Sequence, residues 1–157
     1  MKLSDCASIA EIISGLAVVV TLIFLIAGIR ENTAVLRASE YSGLNESLNS
    51  FQALQMTDPD SVRVWHAYIN ERSDDLDALD RQRLSLAILT LFRIYESAFF
   101  SNRYGLLGDA EWSRFAVANC DHYGRVHRST SLDGLVDSIL SQEFVTYLSE
   151  NCLRQPE

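Results

Sequence analysis

The chain has 157 residues, 48 % of them apolar, enough for one compact domain with a real core. Thirteen Lys and Arg against 21 Asp and Glu give a net charge of −8, a surface that repels phosphate backbones and excludes electrostatic nucleic-acid binding. Two prolines, seven glycines and 10 % aromatic residues exclude a disordered or low-complexity chain.

From Ile12 to Ile29 no residue is charged, and 12 of these 18 residues are Ile, Leu, Val or Phe. On an insertion scale they contribute roughly −4 to −7 kcal/mol, of which Ser14, Thr21 and the glycines take back only part. A helix of this length covers about 27 Å, close to the hydrocarbon thickness of a bilayer. A buried core helix seldom stays charge-free for so long, and a cleaved signal peptide wants a basic start and a shorter apolar run. The expected organisation is a short tail over 1–8, a transmembrane helix over 9–29 and a helical domain over 30–157. The partner of the first segment is then the lipid bilayer, with no nucleic acid involved.

Positions 7, 10, 14, 17, 21, 24 and 28 step by three and four and share one face of that helix. They carry Ala7, Ala10, Ser14, Ala17, Thr21, Phe24 and Gly28, six of them small. Helix association in lipid depends on close backbone approach, so this face is expected to be a packing seam. With one span per chain, its partner is another copy or another membrane protein. Glu11 lies one turn inside the apolar stretch. It is read as an interfacial carboxylate, with a sharper alternative in which several copies ring a pore lined by Glu11, Ser14 and Thr21.

Lys2 and the α-amine precede the span, whereas Arg30 and Arg37 follow it, a bias of one residue at most, leaning towards a cytoplasmic C-terminal domain. Cys6, Cys120 and Cys152 form an odd, sparse set without CxxC spacing. They are expected to be small buried hydrophobes in a reducing compartment. A Cys120–Cys152 bridge requires a domain outside the cytoplasm.

Beyond the span no proline or glycine intervenes before Gly43, so the helix should continue. Val35, Ala38, Tyr41, Leu44, Leu48, Phe51 and Leu54 form its apolar stripe. Asp58-Pro59 starts a second helix, packed through Val62, Trp65, Tyr68 and Ile69 and ending before Arg72-Ser73-Asp74-Asp75. A longer helix is expected from about Leu76 to Tyr104. Arg93 and Glu96 lie three apart within its apolar middle, which argues against a second span and suggests a buried ion pair. Gly105 and Gly108 end it, and Asp109 is expected to cap the next helix, with Trp112, Phe115 and Ala116 inward. A short helix around Leu132–Leu140 and a last one, capped by Ser141 and packed through Phe144, Tyr147 and Leu148, complete an all-α fold. Its expected architecture is an N-terminal transmembrane helix continuing into a long helix that packs in a small soluble bundle.

None of His66, His122 and His127 falls in HExxH or ExxH spacing, and there is no Gly-rich phosphate loop or GxSxG. Cys120-Asp121-His122 places three ligand types in a row, but consecutive helical residues point in different directions. No catalytic residue, metal site or cofactor is expected. An enzyme with a pocket near Arg93 and Glu96 is the least favoured of three functions, after a self-associating scaffold or accessory subunit and a pore.

The segment Ile29-Arg30-Glu31-Asn32-Thr33-Ala34-Val35-Leu36-Arg37-Ala38 resembles the QIRxNTxAxRA segment of a family of small uncharacterised bacterial single-span membrane proteins. Tyr104 to Trp112 is similar to that family's GLLDEExW turn and helix start, and Ser141 to Val145 to its SPEFV. The chain departs at Gly28, where the family tends to place Gln, and at Gln142, where it tends to have Pro. The tryptophan pair usual before the last motif is missing. The resemblance implies a bacterial inner-membrane protein with one span and a helical cytoplasmic domain, and no known activity.

Overall fold

A computed structural model describes the backbone of residues 3–153 and the side chains of residues 13–153. It is all-helical, with no strand among the described residues. The described residues form five helices, α1 (Leu3–Thr57), α2 (Pro59–Ile69), α3 (Ala78–Arg103), α4 (Asp109–Arg128) and α5 (Gln142–Cys152), with a 3₁₀ turn at Ser73–Asp75. The chain divides into two compact units between Ala38 and Ser39, so the boundary falls nine residues beyond the end of the expected span.

In the first unit, α1 carries an 18-residue window with mean hydropathy 2.3 and no buried residue. Every described residue from Ile13 to Ile29 is exposed.

The second unit is built around α3, which packs on α2 and α4, while α4 packs on α5. By length and composition α3 also passes for a span, but 44 % of its apolar window is buried against the bundle. Leu84, Ile88, Leu91, Phe92, Tyr95 and Ala98 are each at most 3 % exposed, the pattern of a core helix. From α1, Leu44 and Phe51 join this core, with Tyr41 and Leu48 partly buried beside it. The stripe expected on α1 frays at its ends: Val35 and Leu54 are exposed.

Local chemistry explains most boundaries. Asp58 caps α2, its Oδ2 accepting from the Ser61 N–H and hydroxyl, each at 3.0 Å, and Pro59 supplies the preset φ of a first helical residue. The helix closes in a Schellman turn: Arg72 N donates to Ala67 O and Glu71 N to Tyr68 O. Glu71, at φ 55°, takes the left-handed position usually given to glycine. Its carboxylate is held there by Arg128 Nη2 at 2.7 Å. The buried face of α2 is Val64, Ala67 and Tyr68, rotated from the expected one; Val62 and Ile69 stay exposed. Asp80, 4 % exposed, meets Arg63 from α2 at 2.7 Å and so ties α2 to α3.

Three sequence expectations need correction here. Gly108, not Asp109, is the N-cap of α4; Asp109 is its first residue, and its Oδ1 accepts from Asn102 Nδ2 at 3.3 Å. The helix expected over 132–140 is a series of turns, because Gly134 sits at φ +71°, where a right-handed helix cannot continue. Leu132, Val136 and Leu140 still bury themselves at four-residue spacing.

The third correction concerns the thiols. Cys120 on α4 and Cys152 at the end of α5 form a disulfide, with Cα atoms 4.7 Å apart across a separation of 32 residues. They are not free buried thiols. Cys6 lies outside the described side chains.

Candidate functional site

The seam, the charged pair and a cavity in the bundle are the three candidate sites, and each has its own geometry. On the seam, Ser14, Ala17, Thr21, Phe24 and Gly28 are all exposed. A Cβ built on Gly28 would meet nothing within 4 Å. Ala7, Ala10 and Glu11 lie outside the described side chains. Thr21 Oγ1 donates to Ala17 O at 2.8 Å, so its proton is spent within its own helix. That leaves one pore-lining hydroxyl of the alternative reading as an acceptor only.

Arg93 Nη1 and Glu96 Oε2 are 3.2 Å apart, yet burial is one-sided: the Arg93 side chain is 57 % exposed and that of Glu96 11 %. The pair is therefore not buried as a unit. Glu96 Oε1 turns inward and accepts from Ser141 N at 2.7 Å, at the start of α5. Ser141 occupies the N-cap position, but its hydroxyl makes no capping hydrogen bond. The carboxylate from α3 supplies the acceptor charge at that terminus instead. Neither Arg93 nor Glu96 lines the cavity between α1, α2, α3 and α4 or the smaller one beside Phe99 and Tyr147.

The cavity lies elsewhere. A space of about 600 Å³ opens between the later turns of α1 and helices α2, α3 and α4, within the range of small-molecule sites. Phe51, Trp65, Leu91, Tyr95 and Phe115 form much of its wall. Val62, Ile69 and Met56, all exposed, also line it. Phe51 and Trp65 meet edge to face at 5.5 Å, and Trp65 lies 5.1 Å from Tyr68.

His122 borders this cavity from α4. Its Nδ1 is 3.0 Å from the Tyr68 hydroxyl, and the two rings stack at 5.6 Å. Burial lowers the His122 pKa from its ordinary 6.5; Asp121 opposes that shift and Arg125 adds to it. Burial also pushes the Tyr68 and Tyr95 phenols well above their ordinary range, so both stay protonated. The neighbours of His122 serve other partners. Asp121 pairs with Arg125 Nε at 3.0 Å, and Cys120 is taken by the disulfide. No group of three His, Cys, Asp or Glu able to hold a metal occurs among the described residues.

Sequence reasoning named several of these side chains, as core, but not the cavity they border. Its one usable signal is the surplus of apolar residues on α2, where Val62, Trp65 and Ile69 lie beside a buried Val64, Ala67 and Tyr68. No family model, curated protein or solved structure matches the chain.

Proposed function

We propose that this protein is a non-enzymatic module of a bacterial inner membrane, anchored by α1 and self-associating through its small-residue face, with the helical bundle acting as scaffold or accessory subunit. The observation that carries this proposal is the exposed apolar window of α1, mean hydropathy 2.3 with no residue buried. Soluble monomers rarely expose contiguous apolar patches of more than a few hundred Å². A bilayer accounts for the apolar surface, and a neighbouring helix accounts for the side on which Ser14, Ala17, Thr21 and Gly28 permit close approach. The similarity of residues 29–38 to the segment that follows the span in a family of single-span proteins supports the same anchor.

The Cys120–Cys152 bridge favours a folded domain on the oxidising side of that membrane. This reading departs from the cytoplasmic placement that Arg30, Arg37 and the family resemblance point to, where the charge bias is one residue at most.

Self-association is tested by the mass of the full-length protein in a mild detergent. An oligomer that Ala17→Leu reduces to monomer is the expected result, since a bulky side chain at the seam holds the backbones apart. A strict monomer, unchanged by Ala17→Leu, would refute self-association.

A further inference from the structure

We infer that the cavity between α1, α2, α3 and α4 binds a single-chain amphiphile with a carboxylate head, its head at Arg114 and its chain along the aromatic wall. The inference rests on the cavity alone and is independent of how α1 meets the membrane.

Its shape comes first. The α1 residues on the wall run from Tyr41 through Asn45, Leu48 and Gln52 to Met56, four turns of one helix. At a rise of about 1.5 Å per residue they extend about 22 Å. An elongated space with Leu, Phe, Trp and Met side chains along it matches an extended alkyl chain better than a compact ring.

Charge fixes the direction. The chain as a whole is strongly acidic, at −8. Yet among the described residues lining this cavity there is no Asp or Glu, and Arg114 is the one Lys or Arg. Arg114 stands at the Tyr41 end, where its Nη1 is 3.4 Å from the Tyr41 hydroxyl. That distance exceeds the usual 2.7–3.2 Å of an N–H···O bond, so the contact engages the guanidinium weakly. Arg114 has no salt bridge with any described carboxylate, in contrast to Arg63, Arg83, Arg103, Arg125 and Arg128. Glu40, the neighbour of Tyr41, is engaged by the Ser101 hydroxyl. A guanidinium without a carboxylate partner beside an apolar channel suits a carboxylate head, which it can hold through two parallel N–H···O bonds. The Tyr41 hydroxyl and the Asn45 amide, which donates to Tyr41 O at 2.9 Å, make the same end polar. Gln52 and Gln55 place uncharged amides along the rest of the lining, with His66 beside them, so the chain end of the ligand meets no carboxylate, lysine or arginine.

The test uses full-length protein in zwitterionic nanodiscs and follows tryptophan quenching by a long-chain fatty acid brominated on its chain. The matching brominated alcohol is the comparison. Trp65 lines the cavity and Trp112, the other tryptophan, does not. The expected result is saturable quenching by the acid, half-complete at a concentration at least tenfold lower than for the alcohol. Arg114→Gln should bring the acid to the alcohol's value with the circular dichroism unchanged, Arg114→Lys should restore part of the difference, and Trp65→Phe should abolish the saturable component. Comparing variants in identical discs cancels partition into the bilayer. Equal half-points for acid and alcohol, an unchanged half-point in Arg114→Gln, or saturable quenching that survives Trp65→Phe would each overturn the inference.

Discussion

The Ser141 backbone N–H at the start of α5 donates to Glu96 Oε1 on α3 across 2.7 Å. One carboxylate thereby fastens the last helix to the central one, while its other oxygen meets Arg93 at 3.2 Å. Because Glu96 is 8 % exposed, the hydrogen bond is shielded from competing water. Hydrogen bonds to charged groups contribute about 1.5–3 kcal/mol, and Glu96→Ala is expected to cost an amount in that range. Arg93→Ala removes only an exposed partner and should cost less than about 1 kcal/mol. Urea unfolding followed by near-UV circular dichroism distinguishes them, and equal costs would mean that the ion pair, not the contact with α5, carries the stability.

The disulfide acts on the same helix from its other end. Closing a loop with a separation of 32 residues removes unfolded-state entropy worth roughly 3–4 kcal/mol. The expected outcome is a fall of that order in unfolding free energy on adding reductant, matched by the Cys120→Ala/Cys152→Ala variant in the absence of reductant. Alkylation of Cys120 in unreduced, denatured protein would contradict the bridge.

Acid should weaken the bundle through His122. Burial lowers its pKa below the ordinary 6.5, so the unfolded chain takes up the proton more readily than the folded one. Its contribution is therefore fully present above about pH 6.5 and lost as pH falls through the folded value. His122→Gln should flatten the pH dependence of thermal stability in that window. An unchanged slope in the variant would assign the effect to other groups.

The parts of the fold legible in the sequence are those set by neighbours in the chain. Asp58-Pro59 marks the start of α2 because an Asx cap and a proline φ are local properties, and Phe144 and Leu148 are fully buried on the expected face of α5. Leu132, Val136 and Leu140 have helical spacing but not a helix, since spacing describes what is buried and Gly134 decides the backbone. The Glu96–Ser141 contact and the cavity are hidden for a common reason: each joins residues far apart in sequence; the Cys120–Cys152 pairing can be named from the sequence, but the distance that decides it cannot. The sequence points Glu96 to Arg93 because a partner three residues away is visible in it and one 45 residues away is not. The cavity needs four helices in place before Arg114 and Tyr41 share an end of it.

The most direct test of the account is the behaviour of the full-length protein in membranes washed with alkaline carbonate. An α1 that crosses the bilayer keeps the protein in the membrane pellet until detergent is added, and Leu22→Arg/Leu25→Arg, which places two charges in the apolar window, should release it. Full-length protein that leaves the pellet with the wash, or that stays in solution without lipid or detergent, would contradict the anchor and the self-association built on it.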